Sequence, residues 1–328
     1  MRQGGAAFST DCVLRRPAAS IYVWETVMRR IAERGIYWKM LEQVFINGLI
    51  SGGKYALLAV GFSLIYGVAR IMNLTHTAFY MLSAFLIFYL HQSLALPLAA
   101  SLPLSIVAVT LIGLVCYKFI IAPVRERFTT VMILTLTLAI AIQEVILISF
   151  GGFFRTLPKV IPGMIQLAGI RMTSQHLLTL VTVSVVLVCF WMLLFKTKTG
   201  IAIRAMAMDR EAANLMGMPE SRIAMLTVGI SVGLAALAGA VVAPLYILEP
   251  VMWMHPLVVV MAAVILGGLG SLKGSILGAF ILAFAEVGLI FLFPHLSFLR
   301  GAISMAVMLV ILMIRPEGLF GVFMEGER

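Results

Sequence analysis

Six side chains that ordinarily sit in water, Lys54, Asn73, His76, Gln143, Glu144 and Glu286, stand inside otherwise apolar runs. A charge in hydrocarbon costs about 3 kcal/mol or more, so each must face protein or a wet path. Asn73 and His76, three apart, suit a translocation path or the support of a bent helix. Glu144 and Glu286 suit a path or a hydrogen-bonded brace, and Lys54 is placed to receive a carboxylate. None of these residues forms a nucleophile–base set, so hydrolytic chemistry is not expected. Two stretches imitate a phosphate-binding loop. After Gly48 and Gly53-Lys54, however, Tyr55 stands where Ser or Thr is required, and Lys273 is followed by Gly274 with no strand before it. Cys12, Cys116 and Cys189 lack metal-ligand spacing and read as packing thiols.

The elements that must hold these groups follow from composition. Of 328 residues, 62% are hydrophobic and 12% charged, and the mean hydropathy is +1.08. Such a chain is not a soluble enzyme, a disordered polymer or a fibrous repeat. It is an all-α polytopic membrane bundle. The apolar runs are 44–66, 71–91, 97–117, 130–150, 177–195, 223–248, 250–272, 274–293 and 301–314. A spanning helix needs about 20 residues, which makes eight or nine membrane segments. Pro250, His255, Pro256 and the nearby glycines mark 250–272 as a candidate broken helix, and 71–91 is a second. Pro244, Pro256 and Gly267 are candidate kinks.

The net charge of +10 does not indicate nucleic acid, because the cations lie between apolar runs, where anionic lipid and the positive-inside rule account for them. The loop with Lys118, Arg125 and Arg127 is expected in the cytoplasm. So is the loop at about 196–222 with Lys196, Lys198, Arg204, Arg210 and Arg222, and 151–176 is expected outside. Residues 1–40 form a basic extension whose charge favours the inside, whereas three full crossings before the first cytoplasmic loop put it outside. Residues 21–40 could lie along the interface. The permease domain is then 41–321, followed by a cytoplasmic tail, 322–328.

Gly229 with Gly233, Ala235 with Gly239, and Gly274 with Gly278 are spaced four apart, which lets helix backbones approach closely. Gly267, Gly268 and Gly270 predict a sharp turn. Between 195 and 223, good helix formers cover 201–216, Gly217 is placed as a stop, and Pro219-Glu220 suits a new start. This predicts a bent elbow that presents Met206, Leu215, Met216 and Met218 beside charge, which is the composition of a docking surface.

Glu211-Ala212-Ala213 followed by Gly217 resembles the coupling loop of bacterial ABC importer permeases. The chain is more closely similar to the LivH/LivM-type permeases for branched-chain amino acids. That similarity rests on Tyr66-Gly67, Asn73-Leu74-Thr75-His76, Ala263 to Ser271, Ala285-Glu286 and Arg315-Pro316-Glu317-Gly318-Leu319-Phe320-Gly321, in order from about 41 to 321. Leu74, Thr75 and Thr77 depart from the family's usual Phe, Ala and Gly, and the Leu-Pro tail of the broader motif is absent after Ile223. The resemblance implies an inner-membrane permease that pairs with a second, homologous or identical, permease subunit. Two cytoplasmic ATPase subunits would bind ATP and Mg, and an extracytoplasmic binding protein would deliver the solute. No cofactor is expected in this chain. The docking residues it implies are Arg204, Asp209, Glu211, Ala212, Ala213, Gly217 and Arg222. A secondary transporter or channel is the alternative; it would need no ATPase and would be supported by inverted repeats, of which none is clear.

Overall fold

The computed structural model describes residues 36–161, 163–167, 170–315 and 318–320. The expected extension therefore lies outside the described residues up to 35, while 36–40 begin the first helix; the tail at 322–328 also lies outside. The elements in order are α1 (Ile36–Ala69), α2 (His76–Gln92), α3 (Leu98–Cys116), α4 (Phe128–Phe150), β1 (Met164–Leu167), β2 (Ile170–Thr173), α5 (Ser174–Lys196), α6 (Lys198–Met208), α7 (Arg210–Leu215), α8 (Glu220–Val242), α9 (Met254–Gly267), α10 (Leu272–Leu292) and α11 (Arg300–Ile314). Six of these segments are long and apolar enough to cross a membrane: 41–69, 98–124, 128–150, 174–196, 220–242 and 272–292. The architecture is a polytopic helical bundle.

Its axis is α1, 34 residues long and so about 51 Å. A helix that is apolar on all sides belongs in the centre of a bundle, and α1 is enclosed by α10, α8, α9 and α5. Gly48 and Gly52 open its face to α10: a Cβ on Gly48 would stand 2.5 Å from the Phe284 ring, and one on Gly52 would strike Phe280. The two aromatic knobs thus seat in two glycine holes, four residues apart on both helices. On α8, Gly229 and Gly233 face Leu114 and Thr110 of α3, and Gly239 lies directly on the Tyr80 carbonyl of α2. The small-residue pairs are contact faces, as their spacing predicts.

Several expected boundaries shift. Residues 71–75 are not helical; they run as buried, irregular backbone into the bundle before α2 starts at His76. The expected span 250–272 contracts to α9, 14 residues long, with a non-helical stretch before it. Pro244 follows the end of α8, Pro256 sits in the first turn of α9 and Gly267 is its last residue, so none of the three kinks a helix interior. Pro103 lies inside α3 instead, and α3 runs on through a π-helical turn, Tyr117–Ile121. The predicted turn is present, with Gly268 at φ 95° and Gly270 at φ 85°. The loop after α4 holds the antiparallel β1–β2 hairpin, which helical periodicity does not reveal. Arg155 in that loop donates to the Phe150 carbonyl at 3.2 Å and bridges Leu248 through its backbone. Its guanidinium therefore caps the C-terminal end of α4. Cys116 is half-buried against the core, whereas Cys189 is exposed.

The ends of the helices sort into two groups. At one end lie the C-termini of α1, α3 and α5, the N-termini of α8 and α10, and the elbow. Leu319 and Phe320 return there, donating backbone hydrogen bonds to Leu266 and Gly267 at 2.7 and 3.2 Å. At the other end lie the α2–α3 connection, the C-terminus of α4, the hairpin and the α10–α11 connection.

Candidate functional site

The elbow is built by caps. Thr197 starts α6 by accepting from Gly200 N at 3.0 Å, and a side chain on Gly200 would run into the Leu193 and Leu194 carbonyls. The helix expected over 201–216 is split at Asp209, whose extended backbone ends α6 and whose Oδ1 accepts from Ala212 N at 3.0 Å to start α7. α7 ends as predicted at Gly217, φ +80°. Met218 N donates to Ala213 O at 3.1 Å and Gly217 N to Asn214 O at 2.9 Å, the two bonds that close a helix through a left-handed glycine.

One face of the elbow is buried and one is open. Ile203, Met206 and Ala213 pack inward, and Met218 lies half-buried against the core. Met208, Leu215 and Met216 are 84%, 88% and 80% exposed, so the open apolar patch comprises these three without Met206 and Met218. Glu211 and Ala212 are exposed beside them. The Arg204 guanidinium lies 4.5 Å over the Phe195 ring, and Arg222 is exposed at the first turn of α8.

Two residues absent from the resemblance hold the elbow to the bundle. Arg210 pairs with Glu220 at 3.2 Å and donates to the Val68 carbonyl at 3.2 Å, tying α7 to the end of α1. Glu220 also pairs with Arg125 at 3.3 Å. Their only sequence signal is charge sign: Arg210, Glu220 and Arg125 alternate across loops that pattern alone cannot bring together.

The membrane-embedded polar residues separate into braces and an outlier. Asn73 Oδ1 accepts from Thr75 N at 3.1 Å and shapes the entry to α2. Thr135 of α4 accepts from Leu74 N at 3.2 Å, and the Thr75 hydroxyl donates to the Thr135 carbonyl at 2.6 Å, so α4 tethers the irregular segment to protein. His76 is fully buried. Its Nε2 donates to Leu58 O at 3.0 Å, and its Nδ1 lies 3.3 Å from Ser231 Oγ. Ser231 in turn donates to Gly61 O at 2.7 Å. One imidazole thus joins α2 to α1 and α8, and Gly61 leaves the space it occupies.

Glu286 is 1% exposed. It receives Arg300 Nε at 2.6 Å and the Tyr55 hydroxyl at 3.2 Å. That hydroxyl also lies 3.3 Å from His255 Nδ1, so α1, α9, α10 and α11 meet at one polar knot. Lys54 Nζ, on the same turn of α1, sits 4.3 Å and 4.9 Å from the ring centres of Tyr55 and Tyr246. Gln143 accepts from Trp253 Nε1 at 2.7 Å. Glu144 differs: it lies on the exposed face of α4 with Thr137 and Thr130, each seven residues apart.

Replacing His76 with alanine is expected to cost about 2–4 kcal/mol through the cavity and the lost ties. Thermal unfolding in detergent should occur at a lower temperature. Unchanged stability would show that His76 is not a brace.

The described residues thus form a polytopic membrane bundle with a capped elbow at one end. The family model described as the permease component of the branched-chain amino acid transport system matches residues 44–314, and the chain belongs to that family. It is 27% identical over 294 residues to the high-affinity branched-chain amino acid transport system permease protein BraD of Pseudomonas aeruginosa, covering 85% of this chain and 95% of that one. To LivH of Escherichia coli, a permease of the same description, it is 27% identical over 308 residues, covering 89% of this chain and 98% of the other. A chain of the solved PsaBC complex from Streptococcus pneumoniae covers 83% of this chain at 16% identity, with a TM-score of 0.49 and 91% of its own length matched. The protein is a polytopic inner-membrane permease.

Proposed function

We propose that this chain imports branched-chain amino acids as one of two permease subunits driven by two cytoplasmic ATPases, with the solute delivered by an extracytoplasmic binding protein. The carrying observation is the elbow: an exposed Met208, Leu215 and Met216 patch rimmed by Glu211 and buttressed to α1 through Arg210. A rigid knob with an apolar tip can receive force from a partner and pass it to the central helix. In this reading Glu211 and Ala212 touch the ATPase. Asp209, Ala213, Gly217 and Arg204 hold the knob's shape, and Arg222 stands at its membrane edge. The partners carry ATP and Mg.

The elbow end is the cytoplasmic end, in agreement with its basic loops. Nine segments then traverse the membrane, α2 and α9 together with the irregular backbone before them, and α1 starts outside. Asn73, His76 and Glu286 support the helices, and Lys54 lies beside the Glu286 knot. Glu144 faces the second permease subunit across the solute path, because a carboxylate on an exposed helix face is costly against lipid.

Reconstitution tests the reading. Uptake of leucine into proteoliposomes should require the ATPases and ATP, and the ATPases should co-purify with the permease. A Glu144→Cys variant should crosslink to the neighbouring permease. Undiminished uptake without any ATPase would sink the importer assignment. If the thiol of the Glu144→Cys variant is labelled only by lipid-phase reagents, Glu144 does not belong to the interface.

A further inference from the structure

Two adjoining cavities lie at the elbow end of α3 and α8. The first is an apolar groove of about 610 Å³ walled by Leu114, Met225, Leu226, Gly229 and Ile230, with Ser221 and Arg222 at its mouth. The second, about 320 Å³, is of mixed character, with Lys118, Arg125, Tyr117 and Ser221 beside Ala122 and Met225. Ser221 and Met225 line both, so a cavity edged by cations adjoins an apolar groove.

We propose that this site binds an anionic phospholipid of the cytoplasmic leaflet. The dimensions fit an acyl chain. From Ser221 to Ile230, α8 rises about 14 Å, close to the ~15 Å of hydrocarbon in one leaflet. Gly229 keeps the groove open: a Cβ there would already stand 3.3 Å from Leu114 Cδ2, and any larger side chain would occupy the tail's position.

The charge at the head selects the lipid. Arg125 is already committed to Glu126 and Glu220. Among the described residues, Lys118 and Arg222 have no carboxylate within ion-pair reach, which leaves two uncompensated cations, each lining a cavity that Ser221 also lines. A phosphate with a neutral polar group, as in phosphatidylglycerol, supplies the missing negative charge, whereas the choline of a zwitterionic lipid brings its own cation to a cationic rim. The site does not depend on which solute is carried; it rests on the proposed orientation only in the leaflet it names.

The test uses the full permease complex in phosphatidylcholine vesicles doped with either phosphatidylglycerol or phosphatidylcholine carrying the same photoreactive acyl chain. After illumination, labelled peptides are mapped by mass spectrometry. The peptides around Leu114 and 225–230 should carry the phosphatidylglycerol label in clear excess. Lys118→Ala with Arg222→Ala should cut that excess by up to about thirtyfold, the effect of two interfacial cations, and leave phosphatidylcholine labelling of the outer helix faces unchanged. Gly229→Leu should remove groove labelling by both lipids while both cations remain. Equal labelling by the two lipids, or a preference that survives the double variant, overturns the proposal. So does an absence of label with a Met225→Cys crosslink to a neighbouring subunit, because the groove is then a protein contact.

Discussion

Replacing Leu215 and Met216 together with glutamate is expected to abolish ATP-driven uptake and leave the permease folded. The two side chains are 88% and 80% exposed, so the bundle loses almost nothing when they change. The end of α7 is closed by backbone bonds to Ala213 and Asn214, which glutamate does not disturb. In the proposed complex each apolar side chain contributes about 1.5–3 kcal/mol on burial, and the substituted carboxylates must also be desolvated. The ATPases should therefore bind at least about a hundredfold more weakly. Co-purification with the ATPases and leucine uptake should both collapse, with an unchanged melting temperature. Alanine at both positions should give an intermediate loss. Normal ATPase recovery with the double glutamate variant would show that the elbow tip is not the contact.

Replacing Gly274 with valine should have the largest effect on the fold. A Cβ on Gly274 would overlap the Gly267 carbonyl, and one on Gly267 would overlap the backbone of Gly274. Backbone meets backbone here, so no rotamer change can make room. Gly278 meets the Ala263 carbonyl one turn further along the same seam. Separating α9 from α10 would also disturb the Gly268–Gly270 turn and the bonds from Leu319 and Phe320 to Leu266 and Gly267. The expected cost exceeds about 3 kcal/mol. It should appear as lost monodisperse protein in size-exclusion chromatography and a lower unfolding temperature. Leu277→Val, on the exposed side of the same helix, should be nearly neutral. A Gly274→Val protein as stable as its parent would refute the close seam.

These two predictions draw on different kinds of information. The elbow at 198–215 and its glycine stop are local: a helix end needs a cap within a few residues, and Gly217 supplies it. The spans are legible for a related reason, since uncharged runs about 20 residues long have few other stable fates. Close-packed faces at Gly229, Gly233 and Gly274 are likewise readable from four-residue spacing. Gly48 and Gly52 carry the same spacing and invite the same interpretation, although the neighbouring Gly53-Lys54 draws attention toward a nucleotide loop.

Other features depend on partners distant in the chain. Hydropathy counts Ile71 to Thr75 as part of a span, but Thr135 accepts from Leu74 N and from the Thr75 hydroxyl, and the span breaks there. Glu144 and Glu286 have the same chemistry in similar apolar runs, and only packing separates them. One is open on α4, and the other is enclosed by Tyr55 and Arg300. The Arg210–Glu220–Arg125 strut and the α3–α8 groove are of the same kind.

The sequence by itself determined that this chain lives in a membrane, which family it resembles and where its elbow bends, because those follow from composition, order and contacts between near neighbours. The tertiary structure decided which embedded charges are neutralised, which glycines touch backbone and where a basic rim meets an apolar groove. Those outcomes belong to pairs of residues up to 231 positions apart, as for Tyr55 and Glu286, and no local pattern specifies such a pair.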